Sequence, residues 1–123
     1  MSGRNVLADT NIVMYILNGN KAAADFIKDH FYVSDITEIE LLGKKNIGAS
    51  EYKLRKDFLD NCVIVDLTEL IKKVTIKLKQ KYTIKTADAI IAASSIYLNL
   101  PLITADKGFK KIKELDLQLL ELN

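Results

Sequence analysis

The stretch that most constrains this chain is residues 85–106, KTADAIIAASSIYLNLPLITAD. Residues 87–98 are apolar or small at almost every position, on all sides of a helix rather than along one stripe. A helix of that kind is surrounded by protein, so the chain must supply structure on more than one side of it. Thr86 opens it as an N-cap residue. Asn99-Leu100-Pro101 ends it, because proline cannot continue a helix. Leu102-Ile103-Thr104 then reads as a short buried strand, closed by the turn Ala105-Asp106-Lys107-Gly108. One carboxylate, Asp88, therefore enters a buried helix, and a second, Asp106, leaves a buried strand. Buried carboxylates are costly unless something positive meets them.

Upstream, Val6-Leu7-Ala8 reads as a first buried strand that ends at Asp9-Thr10-Asn11, with Ile12, Val13, Tyr15, Ile16 and Leu17 following at helical spacing. Asn18-Gly19-Asn20 breaks that helix. Residues 21–30, alanine-rich with Phe26 and Ile27 on one side, predict a second helix with His30 at its end. Phe31-Tyr32-Val33-Ser34 predicts a strand, and residues 35–42 a short helix stopped at Gly43. Residues 50–59 predict a helix with Tyr52, Leu54, Phe58 and Leu59 as its apolar positions and Lys53, Arg55 and Lys56 facing out. Cys62-Val63-Ile64-Val65 is a β-branched strand. Thr68 caps a helix over 69–82 whose Ile71, Val74 and Leu78 form a stripe apart from the lysines. After the central stretch come a short basic helix or turn over 109–115 and a last strand over 117–122. Strands alternating with helices predict an α/β fold: a central, mainly parallel sheet of four to five strands with helices on both faces. No linker or repeat interrupts it, so residues 1–123 read as one domain.

Charge narrows function only a little. Eighteen Lys and Arg against sixteen Asp and Glu leave a formal net charge of +2, too small to argue for a nucleic-acid partner by itself. Cys62 is the only cysteine, which excludes an internal disulfide and a cysteine-rich zinc site and fits a reducing, cytoplasmic compartment. His30 is the only histidine, so a histidine-based triad would have to use it. The longest apolar run, residues 89–103, is broken by Ser94, Ser95, Asn99 and Pro101 and falls short of the ~20 residues of a membrane helix.

The acids carry the chemistry. Asp9 and Asp106 each follow a buried strand; a helix cap and an Asp-x-Gly turn are the plain structural readings. The functional reading puts both in the crevice at the carboxyl ends of parallel strands, where open α/β sheets bind ligands. Asp88 suits the first turn of its helix electrostatically, yet Ala87, Ala89, Ile90 and Ile91 leave it little water. Glu38 and Glu40 lie two apart on one short helix, so at most one points inward. The remaining acids, Asp29 among them, read as surface. Lys72, Lys73, Lys77, Lys79 and Lys81 read as a solvated helix face, whereas Lys107, Lys110, Lys111 and Lys113 have a better claim to a phosphate backbone. An acid-only cluster needs a counterion, and hard divalent cations such as Mg²⁺ or Mn²⁺ take oxygen ligands. The chemistry open to such a site is metal-assisted hydrolysis.

Four motifs in order carry a resemblance. Leu7-Ala8-Asp9-Thr10-Asn11-Ile12, Ile36-Thr37-Glu38-Ile39-Glu40-Leu41, Thr86-Ala87-Asp88-Ala89-Ile90-Ile91 and Leu102-Ile103-Thr104-Ala105-Asp106-Lys107 are similar to the motifs of PIN-domain ribonucleases. Within that family the chain resembles the small VapC-like toxins of toxin–antitoxin pairs. The resemblance implies a PIN-like three-layer fold, one or two Mg²⁺ or Mn²⁺, and cleavage of RNA. It also implies a homodimer and a separate antitoxin protein. It would place the metal on Asp9, Glu40, Asp88 and Asp106, with Thr10, Asn11 and Thr104 in support. In the second motif the acid directly precedes a leucine, which points to Glu40 rather than Glu38. Two rivals stand beside this reading. A phosphatase with an aspartate nucleophile would carry Asp-x-Asp after the first strand, and here the third residue is Asn11. The other rival is a catalytically silent PIN-like binding module whose acids serve as caps.

Overall fold

The computed structural model describes residues 3–26 and 28–121. Ile27 of the expected second helix and Leu122 of the expected last strand lie outside them. Five strands form one sheet in the order β3-β2-β1-β4-β5. They are β1 (Asn5–Ala8), β2 (His30–Ser34), β3 (Val63–Val65), β4 (Leu102–Thr104) and β5 (Leu117–Leu119). Every pairing is parallel. Five helices accompany them: α1 (Thr10–Leu17), α2 (Asp35–Leu42), α3 (Ala49–Asp60), α4 (Glu69–Lys81) and α5 (Thr86–Leu98).

Successive strand side chains point to opposite faces, and both faces are apolar, as a parallel sheet covered on both sides requires. Val6, Ala8, Phe31, Val33 and Ile103 meet Ile12 and Val13 of α1, Leu41 of α2 and Leu59 of α3. Leu7 and Leu102 meet Ile71 and Leu78 of α4 and Ile91, Ala92 and Ala93 of α5. The expected three-layer α/β architecture is therefore the one observed. Helix α5 is buried at seven consecutive residues, Ala89 to Ser95, which accounts for its lack of a polar face. Small residues at those positions let it lie close between α4 and the sheet.

The strand order fixes where a ligand can sit. The chain lays β2 and then β3 on one side of β1, crosses over through α4 and α5, and places β4 on the other side. The order thus reverses at β1, and a crevice opens beyond the carboxyl ends of β1 and β4.

Several local expectations are corrected. Residues 21–30 do not form one helix. Lys21–Phe26 is a 3-10 helix, and His30 begins β2 instead of ending a helix. The sheet wins there because the His30 N–H donates to the Arg4 carbonyl at 2.7 Å, extending the β1–β2 ladder. Asp29 is partly buried rather than at the surface, its side chain only 6% exposed and paired with the Arg4 guanidinium. The basic segment after β4 is a 3-10 helix, Lys107–Lys111. The N-cap of α5 is Lys85, with Thr86 inside the first turn and no side-chain cap bond.

Arg55 also departs from expectation. It is 5% exposed, while Tyr52 and Leu54 of the same helix face solvent. Its Nη1 donates to the Leu41 carbonyl at 2.6 Å, satisfying an open carbonyl at the end of α2, and its Nη2 donates to Glu51 at 3.0 Å. A buried guanidinium is tolerated because each end has a partner. Arg55→Ala leaves the Leu41 carbonyl without its donor and lowers stability by about 2–3 kcal/mol in urea unfolding. Lys53→Ala, which removes an exposed pair with Asp57, leaves the midpoint where it is. Equal midpoints for the two variants would show that Arg55 fastens nothing.

Candidate functional site

Asp9 is the residue that β1 delivers to the crevice. It is 6% exposed. The β1–β4 register pairs Leu7 with Leu102 and Ala8 with Ile103, so the next step brings Thr104 beside Asp9. The Thr104 hydroxyl donates a hydrogen bond to Asp9 Oδ2. Asp9 Oδ1 accepts the Ile12 N–H at 3.0 Å, which makes Asp9 the N-cap of α1. The Asp9 side chain thus caps α1 from a position at the cleft. Thr104 also accepts the Asp106 N–H at 3.0 Å, and Asp106 Oδ1 accepts the Gly108 N–H at 2.8 Å in the expected turn.

A cleft of ≈ 190 Å³ lies at this point, lined by Asp9, Thr10, Asn11, Glu40, Asp88 and Asp106, with Ile91. Four carboxylates from four separate segments therefore share one wall-to-wall space. Asp88 comes from the first turn of α5 and is half-buried, while Glu40 and Asp106 are exposed at the rim. Glu40 Oε1 accepts the Thr10 hydroxyl at 2.5 Å. Thr10 Oγ1 also lies 3.1 Å from Thr37 Oγ1. With its single proton on Glu40, Thr10 accepts from Thr37 at that contact. Glu38 faces elsewhere, near Lys56 of α3, whose positive charge it supports. Of the two glutamates, Glu40 is the one at the cleft.

The field in the cleft is negative. Burial pushes the Asp9 carboxyl above its ordinary range, and the charges of Asp106 and Asp88 push the same way. The Thr104 hydroxyl and the Ile12 N–H hold it back. Burial also raises Asp88, helped by Asp106 and Glu40, while Lys85 and Lys111 oppose the rise. The cleft stores like-charge repulsion that a cation or a proton relieves. Among the described residues, no three Asp, Glu, His or Cys side chains are grouped closely enough to hold an ion as they stand.

Of the segment that includes Lys107, Lys110, Lys111 and Lys113, Lys111 lines a space beside the acids. Lys85 lines the same space, and sequence reasoning passed over it. Its position just ahead of the α5 first turn was the signal available. Among the described residues no helix is long and apolar enough to cross a membrane.

A family model described as PIN domain matches residues 6–115. No curated protein matches the sequence. Among solved structures, the chain is similar to a toxin–antitoxin complex from Klebsiella pneumoniae, at 28% identity and TM-score 0.77, over 89% of this chain and 94% of that one. It is similar to VapBC-1 from nontypeable Haemophilus influenzae at 27% identity and TM-score 0.77, over 94% and 97% of the two chains. VapBC2 from Rickettsia felis, bound to a DNA fragment from its promoter, shares the fold at 23% identity and TM-score 0.78, over 95% and 99%.

The raised carboxyls make stability depend on pH. A group whose folded pKa is raised keeps its proton to a higher pH than in the unfolded chain, so stability falls as pH climbs above the unfolded value. In the absence of divalent ions, Asp88→Asn therefore melts at a higher temperature than wild type at pH 7. The gap closes as pH falls through the ordinary aspartate value of 3.8. Thermal melts across that pH range check this, and a variant that melts well below wild type at pH 7 would show that Asp88 supports the fold instead.

Proposed function

The chain belongs to the PIN-domain family, and on that premise we propose that it is a divalent-metal-dependent endoribonuclease, the toxin of a toxin–antitoxin pair. The observation that carries the proposal is the four-carboxylate cleft at the point where the strand order reverses. Asp9, Glu40, Asp88 and Asp106 would hold Mg²⁺ or Mn²⁺. The donors are all oxygen, which suits hard cations, and the burial and like charges that raise Asp9 and Asp88 are what such a charge offsets. Bound there, the ion would lower the pKa of a water and neutralise charge developing on a phosphate.

The chain's own residues divide the remaining work. Thr104 and the Ile12 N–H fix the Asp9 carboxylate in one orientation. Thr10, backed by Thr37, does the same for Glu40. Asn11, exposed at the rim, offers its amide to a phosphate oxygen. Water attacks the backbone phosphorus in line, and the P–O3′ bond breaks, leaving a 5′-phosphate and a 3′-hydroxyl. Exposed Ile39 on α2 and Leu54 on α3 give an antitoxin chain apolar surface to cover. The family resemblance extends the proposal to a homodimer in the cytoplasm, with the antitoxin as a separate protein. The solved relatives from Klebsiella pneumoniae and Haemophilus influenzae are themselves toxin–antitoxin or VapBC complexes.

A second reading rests on the spacing of the acids: since no three among the described residues are grouped to hold an ion as they stand, a silent binding module with the same fold has an observation in its favour. Mn²⁺ calorimetry and an RNA cleavage assay separate the two. Wild type binds Mn²⁺ and cleaves RNA, and Asp9→Asn loses the binding and slows cleavage by roughly a hundredfold or more. Cleavage by Asp9→Asn at the wild-type rate, or no Mn²⁺ binding by wild type, would overturn the nuclease reading.

A further inference from the structure

A second and larger cleft, of ≈ 470 Å³, adjoins the acidic one and shares Asp88 and Asp106 with it. Its volume falls within the roughly 300–1,000 Å³ of small-ligand sites. The walls differ in character. Ile84 and Phe109 line it with apolar surface, and Lys85 and Lys111 bring two positive charges to it. Neither lysine has an acid partner within ion-pair distance among the described residues. The Lys111 ammonium is instead anchored by donating to the Thr83 carbonyl, a contact that fixes its place without cancelling its charge. Lys85 is held at the start of α5, whose first N–H groups carry no side-chain cap. Both lysines stand near enough to Asp88 to draw its carboxyl downward.

A phosphodiester approaching the four carboxylates meets a negative field, and a net charge of +2 spread over the chain does little to offset it. Cations placed immediately beside the acids solve that problem locally. We propose that this second cleft seats the nucleotide next to the cleaved bond, with Lys85 and Lys111 on its phosphate and Ile84 and Phe109 against its base. The assignment rests on RNA being the substrate. It makes Lys85 and Lys111 positioning residues, and it makes the cleft the place where one base is distinguished from another by its fit against the apolar wall.

The test is fluorescence anisotropy of a labelled single-stranded RNA oligonucleotide in EDTA, across a salt series. Three proteins are compared: wild type, Lys85→Gln/Lys111→Gln, and Lys73→Gln/Lys77→Gln. The last pair removes the same charge from exposed positions of α4. The cleft pair weakens binding roughly tenfold and lowers the log–log salt slope by about 0.7, the value for one phosphate contact on a single strand. The α4 pair stays within about twofold of wild type. A cleft pair that tracks wild type, or an α4 pair that loses as much, overturns the assignment. A nucleoside 5′-monophosphate displaces the RNA at lower concentration than inorganic phosphate, and equal potency removes the base from the site. Cleavage in Mn²⁺ is followed in parallel. Cleavage without dependence of binding on the two lysines refutes the subsite and leaves the nuclease standing. Lysine-dependent binding without cleavage refutes the nuclease and leaves an RNA-phosphate site.

Discussion

The carboxylate of Asp9, buried at the end of the central strand, is the constraint on which the rest of the site depends. Two donors make it tolerable: a hydroxyl from the adjacent strand and the N–H of Ile12 in the helix that follows. The first exists only because the β1–β4 register carries Thr104 alongside Asp9. The second exists only because α1 starts at the next residue. A slip of one residue in β4 would turn Thr104 to the opposite face and strand a buried charge. Sheet register, helix start and cleft geometry are therefore one condition.

The other acids are supported less tightly, and in a graded way. Glu40 rests on a hydroxyl relay from Thr10 and Thr37, and its helix is fastened by Arg55 at the carbonyl of the next residue, Leu41. Asp106 is held by its own turn. Asp88 has burial and like charges against it and two lysines in its favour. The rigid member is at the centre of the sheet, and the more exposed members stand at the rim.

Much of this was legible in the sequence. Residues 87–98 could only be a surrounded helix, and apolar runs ending in Asp9 and Asp106 placed two acids at strand ends before any coordinates. The alternation of elements gave the parallel sheet. What was not legible depended on contacts between segments distant in sequence. Arg55 looked like a surface residue because its partner, the Leu41 carbonyl, is a backbone group that no side-chain pattern reveals. His30 looked like a helix end because the pull of the Arg4 carbonyl is invisible to local periodicity. The choice between Glu38 and Glu40 could not be made from helical spacing, which says only that they diverge; the position of α1 against α2 makes it. Lys85 was overlooked because a cap position was assigned to its more conventional neighbour, Thr86.

The hydrogen bond between Thr104 and Asp9 joins residues 95 positions apart. Both edges of the crevice belong to strands that neighbour each other in space and lie near opposite ends of the described chain. During synthesis β1 leaves the ribosome well before β4 and has β2 to pair with, but its other flank stays bare until β4 has been made. Contacts of such long sequence separation form late, since the entropy of closing the intervening loop must be met first. The crevice therefore cannot assemble on a nascent fragment that stops short of β4. A chain cut before β4 carries Asp9, Glu40 and Asp88 without a cleft to put them in, so the presence of β4 is itself a gate on whatever the cleft does.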